Sequence, residues 1–220
     1  LYPLGAFTSV NDDLVYSPLY ETRTMLSPLC YAALQGLDEA IRFLFLFRKE
    51  DEQRDLDFAL FLANRSGHLK TADLLLSYGA NPGQESFSNG LHGAAWRGLK
   101  SVIYHYINNL HANPDINDAS FTTPVTYAML NKQDEQDAWD TIECLFGLGA
   151  NPLARFGNRG WTCADLAWEM GKKDLAQRLE DFAKSGSPSI STYPAAVARP
   201  LGYRYVRQPV EHCRNSRPAR

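Results

Sequence analysis

The chain has 220 residues, of which 45% are hydrophobic and 21% charged, and its formal net charge is −3. These values are typical of a soluble globular protein and exclude a general electrostatic attraction to nucleic acid or to an anionic membrane. The longest apolar run, residues 43–47, is far too short to cross a bilayer. The four cysteines are scattered without CxxC spacing, which argues against a zinc site or a disulfide framework and favours a reducing compartment.

Residues 1–26 show no clear periodicity, although they contain enough apolar side chains to cover one face of a small helical unit. A repetitive pattern follows them, and the first unit of a repeat array needs a cover. We therefore expect residues 1–26 to form an N-terminal capping segment. The chain begins with Leu1 rather than methionine, which is compatible with a fragment of a longer protein.

From Ser27 to Phe182 the chain repeats one pattern. A unit has a short run of small and apolar residues, in most copies a glycine, and then a second apolar run that in three copies ends in GANP or HANP. The first three of the mid-unit glycines are Gly36, Gly67 and Gly98, spaced by 31 residues. The five units begin with SPLCYAALQG, FALFLANRSG, NGLHGAAWRG, TPVTYAMLNK and TCADLAWEMG.

Each unit predicts two short antiparallel helices. Ser27 and Thr123 precede proline and Asn89 and Thr162 stand at the same position, so each can cap the first backbone N–H groups of a helix. The mid-unit glycine ends the first helix, because glycine adopts the left-handed conformation without strain. The GANP and HANP segments end the second helix, since the residue before a proline disfavours helical geometry.

Three units depart from the pattern. The first unit ends in RKEDEQRDLD, which we expect to be a charged loop. The fourth lacks the mid-unit glycine and carries NKQDEQD instead, which predicts a longer turn with solvated acids such as Asp134 and Glu135. The fifth lacks the second glycine, and we expect it to be the terminal cap.

The units resemble ankyrin repeats, whose pattern is TPLHxAAxxG, a second helix and GADxN. The similarity is strongest in FALFLANRSGHLKTADLLLSYGANP and NGLHGAAWRGLKSVIYHYINNLHANP. It implies an all-α ankyrin-repeat solenoid of about five helix-turn-helix repeats with short projecting loops, spanning residues 27–183. The segments SPLCYAALQGL and NGLHGAAWRG are also similar to the ankyrin arrays of fungal NACHT-type receptors.

Residues 184–220 differ in composition from the repeats. From residue 185 onward they contain five prolines and six arginines against one acidic residue, Glu211. Such a segment buries too little apolar area to offset its ordering entropy, so we expect a disordered tail. Arginines beside Tyr193, Tyr203 and Tyr205 also raise the alternative of nucleic-acid contact, which the acidic body and the absence of a recognised module disfavour.

No motif in the chain indicates catalysis. His68 and His92 occupy the histidine positions of the repeat pattern, where we expect them to tie neighbouring repeats together rather than act as a base or a metal ligand. Nucleotide-binding, zinc-protease and nucleophile-elbow motifs are absent from the sequence. We expect no enzyme activity, no cofactor and no metal.

The resemblance implies a monomeric intracellular scaffold, cytoplasmic or nuclear, that binds another protein on the concave face of the array. An alternative is the sensor region of a larger NACHT-type signalling NTPase. In such arrays the residues before the mid-unit glycine and those in the projecting loops are free to vary, and Trp and Arg are enriched in binding hot spots. The predicted partner-binding residues are Arg65, Glu85, Trp96, Arg97, Asn158, Arg159 and Trp161.

Overall fold

The computed structural model describes residues 26–47, 53–83, 88–118, 121–130, 134–156 and 160–185. Within these ranges the chain forms ten helices and no strand, apart from one isolated backbone bridge between Phe156 and Trp161. The helices are α1 (Pro28–Gln35), α2 (Asp38–Phe45), α3 (Gln53–Ser66), α4 (Leu69–Ser77), α5 (Gly90–Arg97), α6 (Lys100–Asn108), α7 (Pro124–Leu130), α8 (Glu135–Gly147), α9 (Cys163–Glu169) and α10 (Lys173–Lys184). None of these helices is long and apolar enough to cross a membrane.

The helices are arranged as five antiparallel pairs. The odd-numbered helices pack on one another in chain order, from α1 to α9, and each even-numbered helix packs against the odd-numbered helix before it. We call the first set the odd row and the second the even row. The arrangement confirms the predicted all-α repeat solenoid.

The predicted helix starts are confirmed by side-chain caps. Ser27 Oγ accepts a hydrogen bond from Cys30 N at 3.3 Å, and Thr162 Oγ1 accepts one from Asp165 N at 3.1 Å. Asn89 Oδ1 accepts from both Leu91 N and His92 N. Each cap satisfies backbone donors that have no partner inside the helix, so short helices of seven or eight residues have defined beginnings.

Small residues let neighbouring odd-row helices approach closely. Ala33, Ala63 and Ala94 are completely buried. The closest approach is at Gly93 of α5, where a Cβ atom would lie 2.4 Å from the carbonyl oxygen of Phe61 in α3. No side chain fits there, so the α3–α5 contact depends on glycine at this position.

The repeated asparagine explains the GANP and HANP segments. Asn81, Asn113 and Asn151 each accept a hydrogen bond on Oδ1 from the backbone N–H two residues later, at 2.9, 3.0 and 2.9 Å. Asparagine favours such a turn because its side chain replaces a backbone acceptor. The segments therefore end the second helix, as predicted, and also shape the turn that follows.

The described parts of two stretches predicted as charged loops are helical instead. Of the loop assigned before the second unit, residues 53–57 are described and form the beginning of α3, where Asp57 is buried and accepts hydrogen bonds from Asn81 N at 2.7 Å and Gln53 Nε2 at 2.8 Å. In the fourth unit α8 begins at Glu135. Glu135 Oε2 accepts from Leu175 N at 2.7 Å and is not a solvated loop acid. Acidic residues favour the first turn of a helix, where unpaired N–H groups are exposed.

The two flanking predictions lie outside the described residues. Phe43, Leu46 and Phe47 of the first repeat are exposed in the described part of the chain, and residues 1–25, expected to cover this repeat, are not described. The same holds for the predicted tail beyond Ser185. The division into residues 1–26, 27–183 and 184–220 therefore stays a prediction.

We predict that Leu75→Ala destabilises the protein by about 2–5 kcal/mol, because it leaves a cavity in a fully buried site. Leu153→Ala is the matched control, since Leu153 is 64% exposed and should change the free energy of unfolding by less than about 0.5 kcal/mol. Urea unfolding curves of both variants provide the measurement. Equal midpoints for the two variants would contradict the placement of Leu75 in the core.

A second prediction concerns the turn that follows each second helix. His111 has φ of 57°, whereas Gly79 and Gly149 occupy the equivalent position with φ of 93° and 100°. Replacing His111 by glycine should stabilise the protein by about 0.5–1 kcal/mol, because the strain relieved exceeds the added backbone entropy.

The reverse change, Gly79→Ala, is the control for this prediction. A Cβ at residue 79 meets no atom within 4 Å, so the variant measures the conformational cost alone and should lose about 1 kcal/mol. The measurement is thermal unfolding of the three proteins. A destabilised His111→Gly variant would show that the histidine side chain contributes more than its strain costs.

Candidate protein-interaction surface

Three odd-row helices bring aromatic and cationic side chains together. The guanidinium carbon of Arg65, near the end of α3, lies 4.8 Å from the ring centroid of Trp96 in α5. The Trp96 ring meets the ring of Tyr127 in α7 edge to face, with centroids 6.3 Å apart. A cation close to an indole ring and an edge-to-face pair of aromatic rings are both energetically favourable. Trp96 is half-buried, so the stack fixes the indole while part of it stays accessible.

Arg97 extends the same region toward the preceding repeat. Its side chain is exposed and crosses Gly67, where an added Cβ would lie 3.4 Å from Arg97 Nε. The structure thus brings Arg65, Trp96 and Arg97 together. We call these three residues the Trp96 surface.

Of the remaining predicted partner-binding residues, Trp161 is the one that the structure describes. Trp161 lies before α9 and is half-buried; its backbone N–H donates to Phe156 O at 3.0 Å and its carbonyl accepts from Phe156 N at 2.8 Å. Glu85, Asn158 and Arg159 lie outside the described residues. Their proposed role stays a prediction.

A buried hydrogen-bond network holds the hydroxyl end of Tyr127. The Tyr127 hydroxyl donates to Asp118 Oδ2 at 2.7 Å and lies 2.6 Å from Ser88 Oγ. Thr122 N donates to Asp118 Oδ1 at 2.9 Å. Burial, together with the nearby Asp118 carboxylate, raises the pKa of Tyr127 well above its ordinary value, so the phenol stays protonated. The network ties the loops before α5 and α7 to the stack.

The two repeat-pattern histidines link neighbouring units, as expected. His68 Nε2 lies 3.1 Å from Leu34 O in the preceding unit. His92 Nδ1 accepts from Asn89 N at 3.3 Å, so its Nε2 carries the proton and donates to Thr122 O at 3.0 Å. Burial lowers the pKa of His92 to about 4, which keeps the imidazole neutral at physiological pH.

The other described side chains of reactive types form neither a metal-binding cluster nor an activated nucleophile. In the described part of the chain no cluster of three or more His, Cys, Asp or Glu side chains could hold a metal ion. Cys30, Cys144 and Cys163 are buried free thiols, and burial raises the pKa of Cys30 and of Cys163 to about 12. Thiols in this state are poor nucleophiles at neutral pH.

Sequence reasoning identified Trp96 but missed the aromatic partner on which it rests. Tyr127 stands in the TPVTYA segment, and only its position in the repeat, one residue after the slot occupied by His92 in the third unit, could have indicated that it faces the neighbouring helix. Asp118 was also missed, because it lies in a loop of irregular length. Both residues act through contacts between repeats that no local pattern describes.

Comparison with known families agrees with the fold. Residues 55–86 match the family model described as "Ankyrin repeat", and this range covers most of α3, all of α4 and the turn after it. No curated protein matches the chain. The match supports an ankyrin-repeat protein, and the five helix pairs are consistent with an all-α repeat solenoid. Ankyrin repeats generally mediate protein–protein interaction and are typically non-catalytic.

We predict a pH-dependent loss of stability caused by His92. Burial lowers its pKa to about 4 in the folded state, below the ordinary value of 6.5, so the unfolded chain takes up the proton first. Stability is therefore complete above pH 6.5 and is lost as the pH falls toward 4. Each pKa unit corresponds to about 1.4 kcal/mol, which predicts a loss of about 2 kcal/mol between pH 7 and pH 5.

The control variant for this prediction is His92→Gln, which cannot titrate. It should be less stable at pH 7, because the buried hydrogen bonds change, but should lose less stability than the wild type between pH 7 and pH 5. Burial also lowers the pKa of His105, and this contribution cancels in the difference between the two proteins. Urea titrations of the wild type and of His92→Gln at pH 7 and pH 5 measure how much stability each protein loses. Parallel pH profiles would contradict the buried neutral imidazole.

Proposed function

We propose that this protein is a non-catalytic scaffold that binds a partner protein through the Trp96 surface and the loop that carries Trp161. One observation supports it above the others. The indole of Trp96 is held between Arg65 and Tyr127 and yet remains partly accessible. Trp and Arg are the residue types most enriched in binding hot spots, and a side chain already held in place loses little entropy when a partner binds.

The surroundings of the Trp96 surface favour a preorganised site. The Ser88–Tyr127–Asp118 network is buried, so the base of the stack is rigid. The turns after α4, α6 and α8 are each closed by an asparagine side chain. We propose that the loop residues Glu85, Asn158, Arg159 and Trp161 extend the contact along the array.

The non-catalytic role is supported by the state of the candidate catalytic groups. His68 and His92 are engaged by carbonyl oxygens of neighbouring units, so each imidazole is used for structure. The three described cysteines are buried free thiols, and burial raises the pKa of Cys30 and of Cys163 to about 12. Free buried thiols also favour a reducing compartment, and we propose an intracellular, cytoplasmic or nuclear, monomer.

A second candidate is the sensor region of a larger signalling NTPase of the fungal NACHT type. The observation that favours it is the amino-acid sequence of the first and third units, SPLCYAALQGL and NGLHGAAWRG. The reading frame upstream of Leu1 tests it: a phosphate-binding GxxxxGK[ST] motif there would support this candidate, and an upstream frame without one would remove it.

We predict that Trp96→Ala or Trp161→Ala weakens binding of the partner by about 2 kcal/mol or more, which is roughly a thirtyfold increase in Kd. The partner is first recovered by affinity capture from the native cell, and its affinity is then measured by calorimetry. Trp96→Ala should also lower the melting temperature by a few degrees, because it removes the contact with Tyr127.

Trp139→Ala is the matched control. Trp139 lies on α8 in the even row and packs against Phe182, with ring centroids 5.9 Å apart. This variant should lose stability but keep its affinity for the partner. Normal binding by both folded variants, Trp96→Ala and Trp161→Ala, would reject the proposed surface.

A further inference from the structure

The last repeat carries an open depression lined by two indoles and two carboxylates. Trp161, Asp165, Trp168 and Glu169 line this depression, which has a volume of about 390 Å³ and is open to solvent. Trp168 is 43% exposed, and it stands at the repeat position that Ala95 occupies in the third unit, where the alanine is buried. Among the described residues no further helix packs beyond α9 and α10. We call this feature the Trp168 depression.

The side chains that line the depression are oriented and charged. Trp168 Nε1 donates to Glu180 Oε1 of α10 at 3.3 Å. Asp165 Oδ2 accepts from Thr162 N at 2.8 Å and Thr162 Oγ1 at 2.7 Å, and these bonds are the main reason why the pKa of Asp165 is lowered. The aspartate therefore stays ionised at neutral pH.

Glu169 and Arg155 complete the charge distribution. In the described part of the chain no hydrogen bond or ion pair engages the Glu169 carboxylate. Arg155 also lowers the pKa of Asp165, but its Nη1 donates to Gly160 O at 2.9 Å, so that cation is already held by the loop. Among the described residues, the depression thus offers a carboxylate without a hydrogen bond or ion pair, that of Glu169, beside two indole rings.

This combination selects a cation with a flat, partly apolar surface. An indole face attracts a cation through its quadrupole, most strongly for tryptophan. A guanidinium stacks on such a ring and directs its N–H groups to carboxylates in the same plane, whereas an ammonium makes only point contacts. The chemistry of the depression therefore favours an arginine side chain.

The chain itself contains a segment of matching charge. Residues 186–220 carry six arginines and one acidic residue. The described structure ends at Ser185, one residue after α10 and five residues after Glu180, or about 7.5 Å along a helix axis. The nearest arginine, Arg199, is fourteen residues further on, and such a length reaches up to about 45 Å when extended.

We propose that an arginine of residues 186–220 binds in the Trp168 depression of the same molecule. Tethering gives the arginine an effective concentration on the order of millimolar, so a weak contact suffices to occupy the site. The proposal adds to the proposed function, because Trp161 belongs to both: a partner that contacts Trp161 has to displace the arginine. Its test needs no partner, so the two can fail separately.

The test uses the full chain with ¹⁵N-labelled tryptophan indoles and a nitroxide spin label on Cys213. The other three cysteines are buried, so we expect a thiol reagent to label Cys213. The indole signals, assigned with single Trp→Phe variants, should broaden unequally. Trp161 and Trp168 should lose at least half of their intensity, and Trp139, on the even row, should lose less than about a fifth, because broadening reports proximity to the label.

Two variants and salt establish whether charge is responsible. Glu169→Gln and the replacement of Arg199, Arg204, Arg207, Arg214, Arg217 and Arg220 by glutamine should each restore the two indole signals at least twofold, and so should 0.5 M salt, because it screens exposed charges. Glu143→Gln, on an exposed position of α8, is the matched control and should change nothing. Broadening that persists in the glutamine-substituted chain would overturn the proposal.

A mixing experiment distinguishes the chain's own segment from that of a second copy. Spin-labelled protein without ¹⁵N is mixed with ¹⁵N-labelled protein without the nitroxide at equal concentration. We expect no selective broadening of Trp161 and Trp168 in the mixture. Selective broadening there would assign the arginine to a second molecule and overturn the intramolecular proposal, as would equal broadening of all four indoles in the first experiment.

Discussion

Close stacking of the odd-row helices is the constraint on which the rest of the structure depends. At Gly93 the backbone of α5 approaches the carbonyl oxygen of Phe61 so closely that a methyl group does not fit. Alanines of the odd-row helices in other units, such as Ala33 and Ala63, are also completely buried. Because each helix has only seven to fourteen residues, it gains little stability alone, and burial between neighbouring units provides most of the driving force.

Hydrogen bonds between neighbouring units hold the side chains of the stacked helices in a defined arrangement. His92 and Asp118 are buried, and both bind groups of the loop before α7. The same aspartate accepts from Tyr127, which in turn supports Trp96. Buried polar groups that are fully paired rigidify their surroundings. The aromatic stack is thus positioned by hydrogen bonds that lie behind it, so the exposed part of Trp96 needs no partner to become ordered.

The two ends of the described array differ in chemistry. The first repeat exposes apolar side chains, including Phe43 and Phe47, which favours an apolar cover. The last repeat presents a mixed surface, with Trp168 beside Asp165 and Glu169, which favours a cationic ligand. The flanking sequences match this difference: residues 1–26 contain apolar side chains between polar ones, and residues 186–220 are rich in arginine.

The sequence by itself determined the helix pairs, their caps and their ends. Capping by Ser27 or Asn89 and the turns of Asn81 and Asn151 involve residues within three positions of one another, so a local pattern is sufficient to predict them. It also placed Arg65, Trp96 and Arg97 at one kind of repeat position. By contrast, it mistook the beginnings of α3 and α8 for loops, because Asp57 and Glu135 are stabilised by hydrogen bonds to Asn81 and Leu175, more than twenty residues away.

Only the tertiary structure decided which side chains meet across units. The contact of Trp96 with Tyr127 depends on the distance between α5 and α7, which is set by how closely the units pack. A repeat pattern states where a residue stands in its own unit, but the neighbour it faces is set by how closely the units stack.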